Sequence, residues 1–233
     1  MKSLKNLLAT ASIAIAAVAA TPAAAQVQGK IATVDIPAVV ISTNAFGTAY
    51  QQVGTTYKAQ IDAIQARQQE SQTLLKQLDT NSDNQLDEAE QEAAQNTPQA
   101  KRLQAIEQEV GQLSNQVEAA RVYAVEQILA QYGPALQQVV QQQQVQLVLT
   151  PEAVIYAPPQ ASITQQVSTA LNTLVPSVAI VPPQGWQPNR NAVGLYQQIQ
   201  QRLVAAQAMQ AQQQAAQQRA GQQPPATQAP SGR

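Results

Sequence analysis

Asp79, Asn81, Asp83, Gln85, Asp87 and Glu90 stand at positions one, three, five, seven, nine and twelve of a single stretch, Asp79-Thr80-Asn81-Ser82-Asp83-Asn84-Gln85-Leu86-Asp87-Glu88-Ala89-Glu90. Oxygens from alternate residues of a tight turn converge on one point, which is the arrangement a hard cation such as calcium requires. The spacing matches an EF-hand loop: Asp79, Asn81 and Asp83 would give side-chain oxygens, Gln85 its backbone carbonyl, Asp87 the ninth-position ligand and Glu90 both carboxylate oxygens. Leu86 fills the apolar slot at position eight. Asn84 replaces the usual glycine at position six, and asparagine tolerates a left-handed backbone better than other non-glycine residues. The stretch therefore predicts calcium (Ca2+) binding of weak affinity, ~10⁻⁴ to 10⁻³ M as in extracellular modules. The competing reading is a solvated acidic turn in which Asp and Asn only cap helices and close the loop.

Other chemistry is poorly provided for. The chain has no histidine and no cysteine, so the commonest neutral-pH acid/base and every thiolate nucleophile or zinc ligand are missing. No G-x-S-x-G elbow and no glycine-rich phosphate loop occurs. The paired carboxylates cluster in one turn instead of facing each other across a cleft. The expectation is a protein that is not an enzyme.

The elements that would position the loop are two long helices. Before it, Val53, Tyr57, Ile61 and Ile64 form an apolar stripe that lapses through a Gln-rich middle and resumes at Leu74, Leu75 and Leu78. After it, Leu103, Ile106, Val110, Leu113, Val117, Ala120 and Ala124 alternate steps of three and four, which is a coiled-coil seam. Thr97 is the predicted N-cap of this second helix, with Pro98 in the first turn where its missing N–H costs nothing. A helix over 98–132 would be about 50 Å long, and its stripe needs a partner. The preceding helix, folded back antiparallel, is the simplest one, with Asn96-Thr97-Pro98 supplying the second bend that the reversal needs. One Phe and one Trp beside abundant Gln and Ala cannot build a large aromatic core, so helix-to-helix contacts are the economical architecture.

The hairpin is flanked by pieces of a small body. Lys30-Ile31-Ala32-Thr33-Val34-Asp35 reads as a strand running into a cap, Val145-Gln146-Leu147-Val148-Leu149 as a second strand, and Ala153-Val154-Ile155-Tyr156-Ala157 as a third. Gly133-Pro134 should break or bend the long helix. Ser162-Ile163-Thr164-Gln165 has the capping-box pattern for a helix carrying Val167, Leu171 and Leu174 on one face. The fold class expected is α+β, mostly helical: a long antiparallel coiled-coil hairpin over 48–133, carrying loop 79–90, projecting from a small β-sheet body assembled from 26–47 and 134–176. Residues 177–233 read as a Pro-rich linker, a Gln/Ala-rich stretch with helical potential to about Ala220, and a disordered polar tail from Gln222.

At the start, Lys2 and Lys5 precede the apolar run Leu7 to Ala20, and Ala23-Ala24-Ala25 supplies small residues before Gln26. This predicts a signal peptide over 1–25, because the run is shorter than the about 20 residues that span a bilayer. Its removal leaves 11 of the 13 basic residues against 14 acidic ones. A mildly acidic mature chain argues against a nucleic-acid partner, and no later segment suits stable membrane insertion.

Taken in order, the opening strand Lys30 to Asp35, the hairpin, Leu147-Val148-Leu149, Val154-Ile155-Tyr156-Ala157 and Ile163-Thr164 with Val167 and Leu171-Asn172 resemble the OmpH/Skp family of periplasmic chaperones. The resemblance runs from Lys30 to about Leu174. It implies a homotrimer whose strands join into a small barrel-like body from which three hairpins project around a cavity. It also implies an ATP-independent periplasmic holdase that keeps unfolded outer-membrane protein precursors from aggregating. The chain departs from the family pattern in placing Ser162 before the Ile-Thr pair where Asp is usual, in a hairpin that is not basic, and in the loop at the hairpin tip. A passive coiled-coil spacer or adaptor of the cell envelope is the alternative reading of the same elements.

Overall fold

The structure is a computed structural model that describes residues 29–221; the expected signal peptide and the tail from Gln222 lie outside the described residues. Two short strands, β1 (Lys30–Thr33) and β2 (Val145–Leu149), pair in parallel, with Ile31 opposite Leu147, Ala32 opposite Val148 and Thr33 opposite Leu149. Parallel neighbours need a long crossover, and here the crossover is the whole helical hairpin. The sheet thus ties together the two ends of everything that projects from it.

Around the sheet lie α1 (Ile36–Ile41), the start of α2 (Asn44–Thr56), the end of α5 (Pro98–Ala130), α6 (Tyr132–Gln143), α7 (Thr164–Leu174) and the first turns of α8 (Arg190–Gly221). Val39, Val40, Val125, Ile128, Ile163, Val167, Leu171 and Ile199 are fully buried at their centre. Aliphatic side chains supply nearly all of this core, as the scarcity of aromatic residues required. Asp35 joins three elements of it. Its Oδ1 accepts from the Ala38 N–H at 3.0 Å and caps α1, its own N–H donates to Thr164 Oγ1 at 3.1 Å, and its Oδ2 accepts from Arg202 on α8 at 2.6 Å.

The third strand expected at Ala153 to Ala157 does not form. Pro151–Ala153 is a 3₁₀ turn, and Ile155 and Tyr156 that follow are 107% and 84% exposed. The physical reason is that the second edge of β1 is taken by residue 162–163 backbone: Thr33 bridges Ser162, and the Ile163 N–H donates to Thr33 O at 2.9 Å. That same engagement draws Ser162 into an extended conformation, so its hydroxyl accepts from the Thr164 N–H at 3.4 Å instead of closing a capping box with Gln165. α7 then begins at Thr164.

The helical hairpin consists of α2 and α3 (Lys58–Leu78), which meet at a bend on Tyr57, α4 (Glu88–Ala94) at the tip, and α5 returning. Its antiparallel sense is fixed by cross-helix ion pairs: Arg67 reaches Glu109 while Glu70, further along α3, reaches Arg102, further back on α5. Every residue of the expected α5 seam is buried or half-buried, with Ile106, Val117, Ala120 and Ala124 fully so. The break at the base falls at Gln131 (φ −100°, ψ 0°), and α6 begins at Tyr132. Pro134 thereby sits in a first helical turn, where backbone N–H groups have no partner to lose.

Candidate functional site

At the tip, loop geometry follows from short polar side chains bonding their own backbone. Asp79 accepts the Asp83 N–H on Oδ1 at 3.2 Å and the Asn84 N–H on Oδ2 at 2.9 Å; Asn81 Oδ1 accepts the Asp83 N–H at 2.8 Å; Asp83 Oδ1 accepts the Gln85 N–H at 2.7 Å. Ser82 and Asn84 hold left-handed φ values of 62° and 65°. Asn84 therefore performs the turn normally assigned to glycine. Asn81 Nδ2 lies 3.3 Å from Asp83 Oδ2 and 3.4 Å from Asp87 Oδ2, so three of the expected ligands face a common point.

Glu90 is turned elsewhere. Its Oε1 accepts from the Thr80 N–H at 2.7 Å, the Thr80 hydroxyl at 2.8 Å and the Asn81 N–H at 3.0 Å. Its Oε2 accepts from the Asp87 N–H at 3.3 Å, while Asp87 Oδ1 takes the Glu90 N–H at 2.8 Å, a complete capping box that starts α4. These donors, led by the Asn81 amide, hold its carboxyl below the ordinary glutamate range. Among the described residues no three His, Cys, Asp or Glu side chains are grouped closely enough to hold a metal ion. The loop brings Asn81, Asp83 and Asp87 within reach of one another, turns both Asp79 oxygens onto the Asp83 and Asn84 amides and keeps Glu90 apart, while the Gln85 N–H is bonded to Asp83. The residues present therefore fit calcium only in part, with Glu90 committed to Thr80, Asn81 and Asp87.

Between tip and body the apolar stripe of α3 lapses, and no residue of that helix is fully buried. Charge takes its place. Arg102 donates from Nε to Glu70 Oε1 at 2.7 Å and from Nη1 to Glu109 Oε1 at 2.7 Å, Arg67 Nη1 lies 3.2 Å from Glu70 Oε2, and Arg67 Nε pairs with Glu109. Two guanidinium forks and two carboxylates form one ring across the hairpin. Hydrogen bonds from Arg102 hold both Glu70 and Glu109 below the ordinary range. Sequence reasoning missed this ring, although Arg67 with Glu70 and Arg102 with Glu109 lie three and seven residues apart on helices already known to be antiparallel.

At the hairpin root, Tyr50 packs on Phe46 with ring centroids 4.1 Å apart, accepts from Gln200 Nε2 at 2.7 Å and lies 5.5 Å beneath the Arg121 guanidinium. Burial raises its phenol well above the ordinary range. The segment following α7 passes over the same root. Gln127 Nε2 donates to Ala179 O at 2.8 Å, the Ala179 N–H donates to Gln127 Oε1 at 3.0 Å, and Trp186 meets Tyr123 edge to face at 5.3 Å. Trp186 is therefore an anchor of this segment on the body.

The sequence profile described as Outer membrane protein (OmpH-like) matches residues 30–171, that is, from β1 through the hairpin to the last turn of α7. The chain belongs to the OmpH-like family. A crystal structure of a candidate OmpH-like outer membrane chaperone from Caulobacter crescentus CB15 is 25% identical, covering 67% of this chain and 91% of that one, with a TM-score of 0.39. No curated protein matches this OmpH-like chain. Membership carries a chaperone role, and the OmpH-like chaperones are not enzymes. It also implies the periplasm as the compartment; among the described residues no helix is long and apolar enough to cross a membrane. The segment 176–189 and α8 lie beyond the matched residues.

Proposed function

We propose that this protein is an ATP-independent periplasmic holdase that receives unfolded outer-membrane protein precursors and acts as a homotrimer. The observation that carries the reading is a long hairpin hinged on a compact body in a chain of the OmpH-like family. An unfolded β-barrel precursor exposes alternating apolar side chains and unpaired strand edges, and surrounding it with hairpins blocks pairing between clients. The body supports assembly: β1 and β2 make only a two-stranded sheet, Ile31 and Leu147 are 47% and 42% exposed, and Ile155 and Tyr156 project fully. Such a sheet is too small to stand alone, and a neighbouring copy would extend it at the outer edge of β2, since the second edge of β1 is engaged by Ser162 and Ile163.

Calcium is the proposed modulator of the tip. Asp79, Asn81, Asp83 and Asp87 would hold the ion with the Gln85 carbonyl, and Glu90 would complete the set by leaving Thr80 and the Asn81 amide. Binding would exchange one bonding pattern of the tip for another and alter how firmly α4 is seated.

The deciding experiment is dilution of a urea-unfolded outer-membrane barrel protein into buffer with and without the mature chain. Suppressed light scattering at a threefold molar excess, about one trimer per client, is the expected result; unchanged scattering would sink the holdase reading. For the tip, calorimetric titration with millimolar calcium should give heat with wild type and little with Glu90→Gln, and two flat traces would remove the site.

A further inference from the structure

Residues 177–183 cross the hairpin root without forming helix or strand. Their exposure alternates as in a β-strand: Val178, Ile180 and Pro182 are half-buried, while Ala179 and Val181 point to solvent. Ile180 packs against the apolar cluster of Val53, Val117 and Ala120 between the two arms of the hairpin, edged by Tyr57 and Ile61. The side-chain amide of Gln127 bonds both the N–H and the C=O of Ala179, at 3.0 and 2.8 Å. This is the double exchange that a residue of a neighbouring strand would make, and it reads backbone alone.

The strap is held lightly. Among the described residues no amide from Ser177 to Gly185 donates to a backbone carbonyl. At its far end Trp186 Nε1 is buried without a hydrogen-bond partner, a cost that weighs against the closed arrangement. Pro176, Pro182 and Pro183 bracket it; they favour an extended backbone and deny it further ladder bonds. It is thus an apolar, alternating, extended segment seated in a groove that grips any backbone.

We propose that this groove at the hairpin root is a docking site for an extended apolar segment of an unfolded client, and that 177–183 is a built-in competitor which the client displaces. The strands of a membrane barrel alternate apolar and polar residues over about ten positions, so a client strand would present the same half-pattern over a longer reach and without the prolines. The identity of the client rests on the holdase reading; the groove and its competitor do not. The strap covers the apolar cluster when no client is present and yields to one that binds it better.

The probe is a fluorescein-labelled peptide of the sequence 176–186, measured by anisotropy on the full mature chain. The double variant Val178→Ser/Ile180→Ser, which loosens the strap, should bind it at least about fivefold tighter than wild type, since affinity scales with the fraction of open groove. Adding Gln127→Ala should abolish the gain. Equal affinities in wild type and the double variant, or a gain that survives Gln127→Ala, would overturn the proposal. Hydrogen exchange on wild type needs no variant: saturating peptide should speed exchange at Ala179, and an unchanged rate with peptide bound, or no binding at any concentration, overturns it equally. Run beside the scattering assay, the two separate cleanly. Unsuppressed aggregation with a responsive strap removes the holdase reading alone, and suppressed aggregation with a strap that never opens removes this one alone.

Discussion

Single side chains carry unequal weight in this molecule, and the reason is what each one would leave behind. Ile128 is fully buried where the root of the hairpin enters the body core. Shortening it removes transfer energy and leaves a cavity, so Ile128→Ala should cost about 2–5 kcal/mol in urea unfolding, with the loss appearing as a shifted midpoint at unchanged slope. Glu90 presents the other case, a carboxylate that accepts from Thr80, Asn81 and Asp87 at once. Reading the sequence placed it as a calcium ligand because the spacing of Asp79 to Glu90 is regular. The same spacing also writes a capping box from Asp87 to Glu90, and backbone amides are its nearest partners. Two roles for one residue are thus written in the same spacing, and its hydrogen bonds fill the capping one.

Elements show where pattern was readable and where it was not. The α5 seam, the Thr97 cap and both paired strands follow from periodicity and cap chemistry, since each depends on neighbours within a few residues. The lost strand at 153–157 and the seating of α8 in the core through Ala192, Leu195, Tyr196 and Ile199 depend on partners far along the chain, which spacing cannot specify. The middle of α3 is the most telling element, because its Gln-rich face offers no stripe and the ring of Arg67, Glu70, Arg102 and Glu109 joins it to α5 instead. The carboxyls of Glu70 and Glu109 are held below their unfolded values. Groups depressed in this way stabilise the folded state above the unfolded glutamate pKa of about 4.3 and lose that contribution as pH falls through their folded values. Lowering the pH from neutrality should therefore leave the hydrogen-exchange protection factors of α3, corrected for the intrinsic rate at each pH, unaltered until below about 4.3, then loosen the middle of α3 before α7. Arg102→Gln should shrink that acid-dependent loosening, because it relieves the depression of both carboxyls, and should destabilise the hairpin more than Lys58→Gln, which breaks only the exposed Lys58–Asp62 pair within one helix. Equal effects of the two substitutions on the thermal midpoint would show that the ring is not what joins the arms.

Across the whole molecule, charge is distributed in a way that bears on how a client is met. Twelve of the 14 acidic residues lie within 48–133 against six basic ones in the same span, so the hairpin carries a formal charge of −6. Four of these charges, two of each sign, are spent on the Arg67–Glu70–Arg102–Glu109 ring, which leaves the excess concentrated near the tip, at the exposed Asp83, Asp87, Glu88 and Glu92 and the half-buried Asp79. A long-range field of this sign repels acidic chains and attracts basic ones over distances of about a Debye length, ~10 Å at 0.1 M salt. For the acidic barrel precursors of the proposed function, capture would then come from apolar contact and backbone bonding, both of which survive screening. Association measured by stopped-flow fluorescence should speed up, or stay constant, as salt is raised from about 0.02 to 0.3 M, whereas a chaperone steering acidic clients by positive arms would slow. Calcium adds a second arm to the same test: neutralising part of the tip should raise the association rate at low salt and do little at high salt, and a calcium effect independent of salt would place its action in the seating of α4 and not in the field.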